Sequence, residues 1–244
     1  MKNTIIQNTF KPVLEDVIQA CVLTYHQDVH SIYVYGSVAK GTAKIGYSDL
    51  DICILFKVVK TEQEQQLIEI QQKILKKYAF LPKIDFDIGY VDEVLLEKNE
   101  LYWGAWIKFF CVNIYGKDLS SNFTQVVISP KVIQLINSGY EKEISQYLLT
   151  LKHNKKDKIE LLNIKKSLIK RMIRLLPLTL NQLDITTWPL SIEETIKQAI
   201  QAHPEQKNDI LYLNEQLNSN NMADSILIKN LTDIYIWIVE HIIE

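Results

Sequence analysis

Ile32-Tyr33-Val34-Tyr35-Gly36-Ser37-Val38-Ala39-Lys40-Gly41 is followed, eleven residues after Ser37, by Ser48-Asp49-Leu50-Asp51-Ile52-Cys53-Ile54-Leu55-Phe56. The first stretch reads as an apolar strand running into a Gly-Ser turn, with room for one helical turn before Gly41. A strand, a tight turn and a helix start together present backbone N–H groups and a hydroxyl, the groups a phosphate needs. The second stretch is an apolar strand entered by two aspartates at i and i+2, and a period of two puts Asp49 and Asp51 on one face. Two carboxylates at the edge of a buried strand repel each other and lose hydration. A bound divalent cation resolves both penalties. Magnesium suits such a pair because it takes one or two carboxylates together with substrate phosphates and waters.

Further along, Lys83-Ile84-Asp85-Phe86-Asp87-Ile88-Gly89-Tyr90-Val91 again sets acids inside an apolar alternation, with Asp85 and Asp87 sharing a face. One of them suffices to reach the metal, and such an acid can also take the proton of an attacking hydroxyl. Between the two acid-bearing strands, residues 62–79 place Leu67, Ile70, Ile74 and Leu75 on one stripe among Gln, Glu and Lys, which predicts a crossover helix. A helical period over Phe10–Tyr25 completes an α/β pattern in the first half of the chain. From about residue 120 the period is helical throughout, with helices expected over Val132–Leu151, Lys158–Leu176, Ile192–Ala202, Gln206–Leu217 and Ser225–Ile243. Pro130, Pro177, Pro189 and Pro204 punctuate them where helices start or stop. The division expected is an α/β domain over 1–119 and a helical domain over 120–244, separated after Gly116-Lys117-Asp118-Leu119.

Composition sets the outer bounds. At 244 residues the chain holds one or two domains, and 47% hydrophobic with 23% charged residues excludes disordered, collagenous and disulfide-scaffold classes. A net charge of -2 and a pI near 6.2 speak against wholesale nucleic-acid coating and leave local patches to be tested separately. Cys21, Cys53 and Cys111 are far apart and odd in number, so neither a disulfide framework nor a zinc site is expected, and a reducing compartment fits. The opening Met1-Lys2-Asn3-Thr4-Ile5-Ile6 turns polar before any signal-like apolar run, and Ile234–Val239 falls far short of the about 18 residues a membrane span needs. The expectation is a cytoplasmic protein with no membrane partner.

Taken together, Gly36-Ser37, Ser48-Asp49-x-Asp51 and a later strand aspartate resemble the DNA polymerase β nucleotidyltransferase superfamily, and Gly36-Ser37-Val38-Ala39-Lys40-Gly41 is most similar to its bacterial aminoglycoside nucleotidyltransferase-like branch. Ile114-Tyr115-Gly116-Lys117-Asp118-Leu119 resembles the turn that ends such a domain. The resemblance covers roughly residues 30–120, and the helical half only by architecture. It implies an α/β (α+β) fold with a twisted mixed sheet carrying the acids, and an all-α bundle closing a cleft over the nucleotide. It implies attack of an acceptor hydroxyl on the α-phosphorus of ATP or another nucleoside triphosphate, release of pyrophosphate, and two magnesium ions held by Asp49, Asp51 and Asp87. Asp87 is preferred to Asp85 because the stretch after it, Ile88-Gly89-Tyr90-Val91, matches the family's apolar run with a glycine. Gly36, Ser37, Lys40 and Ser48 would line the nucleotide, and Lys166 resembles the lysine that the helical domain sends to the triphosphate.

Weaker signals bear on the acceptor. Nine basic residues against two acids lie between Lys152 and Arg174, and Lys166, Lys170 and Arg174 recur every four residues on one helical stripe. That stripe reads as a solvated face, a triphosphate contact or an RNA-backbone contact, although Arg171 and Arg174 are the chain's only arginines. His26 and His30 read as helix-end surface residues, while His153, His203 and His241 show no partner. Trp103, Trp106, Trp188 and Trp237 default to core, with Trp188 beside Pro189 the candidate for stacking in the closing domain. The broad stripe Ile226–Ile243 reads as core or a homodimer interface. The functional expectation is transfer of a nucleoside monophosphate, AMP first, to a small-molecule hydroxyl. The alternatives are a toxin-type transferase acting on tRNA or protein, and a non-catalytic nucleotide-binding regulator.

Overall fold

The structure, a computed structural model, describes residues 6–153, 155–181 and 190–243. Trp188, Pro189 and the chain start through Ile5 lie outside them. The described chain divides into two compact units that meet at Val127/Ile128.

The first unit is built on the alternation of its strands. β1 (Val29–Tyr35), β2 (Leu50–Phe56), β3 (Ile84–Tyr90) and β4 (Val112–Gly116) form one sheet in the order β3-β2-β1-β4. β1 pairs antiparallel with β2 and β4, whereas β2 and β3 run parallel, so the sheet is mixed. A parallel pair needs a crossover, and α3 (Gln63–Lys77) supplies it. Ile32, Val34, Ile52, Ile54, Phe56 and Ile84 share the face that packs on α1 (Lys11–Tyr25) and α3, through Val13, Leu14, Val17, Leu67, Ile70 and Ile74. The alternate residues Tyr33, Tyr35, Asp51, Cys53, Asp85 and Asp87 therefore occupy the other face. The single turn α2 (Gly36–Ala39) follows β1 directly, and the short α4 (Val91–Val94) and α5 (Glu100–Ala105) lead into a π-helical turn, Trp106–Phe110.

After β4 the chain remains in the first unit. Gly116 has φ +75°, and a Cβ there would lie 2.1 Å from His30 O, so the close pairing of β4 with β1 requires glycine. Asp118 accepts from Ser120 N at 2.9 Å, and the Tyr33 hydroxyl accepts from Leu119 N at 2.8 Å. Lys108 Nζ donates to the carbonyls of Phe123, Thr124 and Val126, so this segment is tied to the π turn.

The second unit is helical: α6 (Pro130–Ile136), α7 (Tyr140–His153), α8 (Lys158–Leu175), α9 (Ile192–Ala202), α10 (Lys207–Asn218) and α11 (Ser225–Glu240). α8 is its axis, burying Leu161, Leu168, Ile169, Met172, Ile173 and Leu175. Four starts carry side-chain caps: Ser129, Asp157, Asp224, and Ser191 in a reciprocal box with Glu194. The single helix expected over Val132–Leu151 is two helices, broken at Gly139 with φ +77°. Arg171 stabilises that break by donating to Asn137 Oδ1, Asn137 O and Ser138 O while pairing with Glu143 at 2.7 Å.

Candidate active site

Extended backbone carries β1 as far as Tyr35, and Gly36 then turns the chain with φ +69°. A Cβ on Gly36 would sit 2.0 Å from Asp51 Oδ2, so a carboxylate oxygen fills the space a side chain would take. Glycine is required here twice, by its backbone angle and by the approach of Asp51. The antiparallel register explains the approach, since Tyr35 is the Cα partner of Asp51. The Gly-Ser turn and the acid strand thus meet at one point. Ser37 O accepts from Thr42 N at 3.0 Å, which closes the turn around α2, and Lys40 lies exposed just after it. Ser48 Oγ accepts from Lys44 N at 2.8 Å, so this hydroxyl braces the turn that delivers Asp49.

The parallel register separates the two acids of β3. Asp85 is the Cα partner of Asp51, whereas Asp87 is the partner of Cys53, one pair further along the same face. Asp85 pairs with Lys83 Nζ at 2.6 Å. Asp87 instead accepts from the Tyr35 hydroxyl at 2.5 Å. Burial, then the bond to Asp87, then the charges of Asp87 and Asp51 push the Tyr35 phenol far above its usual range. The proton of that bond therefore stays on Tyr35. Lys83 was not singled out by its pattern in the sequence. The bond to Asp85 raises its pKa first, burial opposes this, and the charges of Asp85, Asp49 and Asp51 add to the rise. Its ammonium thus stands in the field of three carboxylates.

The donor chemistry fits a hard divalent cation: all the oxygens come from carboxylates, with no thiolate or imidazole on offer among the named acids. Among the described residues no three His, Cys, Asp or Glu side chains form a ready-made metal cluster. One or two carboxylates completed by phosphate oxygens is the arrangement magnesium favours. Trp103 and Trp106 flank the acid-bearing face. A Cβ on Gly89 would meet both Leu55 and Trp103 at 2.7 Å, and the Trp106 ring stands edge to face with Tyr35 at 4.8 Å. Both are half-buried against the sheet and neither belongs to the buried core.

Outside this site the structure sorts the weaker signals. Lys165 is fully buried and donates to Ser219 O and Asn221 O, and Arg171 is tied to the α6–α7 break, so two of the nine basic residues belong to the packing of the helical unit. Lys166 donates to Asn220 Oδ1 at 3.0 Å within that unit. His203 and His241, without a partner by sequence, have one in space. His203 contacts Thr179 through Nε2 at 3.1 Å, and His241 stacks on Trp237 at 4.7 Å. His30 lies inside β1 against Ser31 Oγ and is no helix-end residue. On α11 Leu227, Leu231, Ile234 and Ile238 are core. No helix among the described residues is long and apolar enough to cross a membrane.

Comparison with known proteins follows the same lines. Residues 16–103, which contain the Gly-Ser turn and Asp49, Asp51, Asp85 and Asp87, match the family described as a nucleotidyltransferase domain. No curated protein matches the chain by sequence. Among solved structures the fold is similar to that of spectinomycin adenyltransferase AAD(9) from Enterococcus faecialis, crystallised with ATP and spectinomycin. The likeness is at TM-score 0.59 and 15% identity, over 93% of this chain and 98% of that one. The match to a nucleotidyltransferase domain is thus confined to residues 16–103, where the Gly-Ser turn is seated on the acid strand, and the structural likeness shows a shared fold.

Proposed function

We propose that the protein transfers AMP from ATP to a hydroxyl of a small molecule and releases pyrophosphate. The observation that carries this reading is the Asp51 carboxylate seated over the bare Cα of Gly36, which joins a phosphate-binding turn to a metal-binding acid. Ser37 and the amides of α2 would hold the β- and γ-phosphates, with Lys40 and Ser48 beside them. Asp49, Asp51 and Asp87 would hold magnesium, with Asp85, the register partner of Asp51, as the alternative third acid. When bound, the ions stabilise charge on the attacking and leaving oxygens. The acceptor oxygen forms a bond to the α-phosphorus as the bond to the β-phosphate oxygen breaks. The hydroxyl proton passes to Asp87, whose Oδ2 is oriented by Tyr35.

ATP as donor is supported by the ligand in the similar adenyltransferase structure, and a cationic polyol acceptor would suit the exposed carboxylate of Asp87.

The test is transfer of label from each α-phosphate-labelled triphosphate, with magnesium, into small-molecule, RNA and protein fractions, with Asp49→Ala/Asp51→Ala as control. Label in the small-molecule fraction, from ATP and lost in the control, is expected. Label in RNA or protein, weakened by salt, would replace the acceptor class, and triphosphate binding without transfer across a broad acceptor panel would make the chain a regulator.

A further inference from the structure

Lys83 stands immediately before β3, and its carbonyl accepts from Leu50 N at 3.0 Å. Leu50 is the residue between Asp49 and Asp51, so this bond holds the Lys83 backbone beside the acid pair. From there its side chain reaches Asp85 at 2.6 Å, and Asp85 is the register partner of Asp51. The ammonium is therefore brought by backbone pairing to the end of the sheet where Asp49 leads into β2 and Asp51 is paired in register with Asp85. Carboxylates on paired strand positions, as Asp51 and Asp85 are, raise the local negative potential that the Lys83 ammonium offsets. The side chain of Lys83 remains 57% exposed, so it can withdraw into solvent without unpacking any core.

We propose that Lys83 is a built-in counter-ion of Asp85, beside Asp51, that steadies this end of the sheet before metal binds and competes with the divalent cation for its negative field. This rests on the metal-dependent reading given above. In the charged pair, Lys83 and the cation draw on the same negative field, so binding of the metal requires displacement or repulsion of the ammonium. Removal of the positive charge then has two opposite effects: the protein without metal loses stability, while its affinity for metal rises. A residue with a merely structural role would not produce the second effect.

The experiment uses the full chain and Mn2+ alone as probe, with free and bound ion counted by electron paramagnetic resonance. Lys83→Met is expected to tighten the Mn2+ dissociation constant about three- to fivefold at low salt, with the gain shrinking as ionic strength rises, as for an exposed charge. Lys83→Arg, which keeps the charge, is expected to match wild type. Melting temperature without metal should fall in Lys83→Met and recover when Mn2+ is added. Lys83→Gln serves as a second neutral variant, with circular dichroism checking the fold of each. Equal or weaker Mn2+ binding in the neutral variants, against measurable binding in wild type, overturns the role of Lys83 and leaves the metal site standing. No Mn2+ binding in wild type or variants overturns both.

Discussion

At the scale of single residues, the site depends on charge placed where backbone geometry leaves no alternative. Gly36 is the clearest case, because any side chain there would enter the space of Asp51 Oδ2 and would strain a φ of +69°. Asp51→Asn should reduce kcat about a thousandfold, corresponding to about 4 kcal/mol of lost transition-state stabilisation, with an unchanged circular dichroism spectrum. A variant that keeps more than about a tenth of wild-type turnover would remove Asp51 from the chemistry. The spacing of Asp49 and Asp51 is legible in the sequence because a strand's period of two is local. The partition of Asp85 and Asp87 is not, because it is set by pairing with β2 and by what Lys83 and Tyr35 reach across the sheet.

At the scale of elements, periodicity and stop signals account for most of what forms. β2 spans Leu50–Phe56 and α9 spans Ile192–Ala202, as their patterns predict, since each is bounded by turn or cap residues of its own. The exception is the α6–α7 break, where apolar spacing continues across Gly139 and a guanidinium 32 residues further along satisfies the freed carbonyls. Arg171 thus reads as surface charge in sequence and as a helix-end donor in space. For α8, Asp157 accepts from both Ile159 N and Glu160 N, so Asp157→Ala should cost about 1 kcal/mol in urea unfolding. Leu168→Ala, at 0% exposure on the same helix, should cost about 2–5 kcal/mol. A Leu168→Ala cost no larger than that of the cap variant would mean that α8 is not the axis of the helical core.

At the scale of the whole molecule, the acid-bearing sheet belongs to the first unit and the second builds a separate core. Burial in the first unit sets a pH limit. The thiols of Cys21 and Cys53 are pushed up to about 12 by burial, Cys53 with a further push from Asp87, and burial raises Tyr33 to about 12. Groups that hold their protons more tightly when folded contribute fully at pH below their unfolded values, about 8.5 for a thiol and 10 for a phenol. That contribution is lost as pH rises toward the folded values, so melting temperature should fall steadily from about pH 9 to 12. Cys53→Ala should flatten the decline, and an unchanged slope would mean that the thiol is not protonated against burial. By itself the sequence determined the strand and helix periods, the Gly-Ser turn and the paired aspartates, because each rests on spacing within a few residues. Only the tertiary structure decided that Asp51 fills the space above Gly36, that Asp85 pairs in register with Asp51 while Asp87 accepts from Tyr35, and that Lys83 pairs with Asp85 while Lys165 and Arg171 turn inward. Those outcomes follow from strand register and from burial, which bring together residues that no local pattern connects.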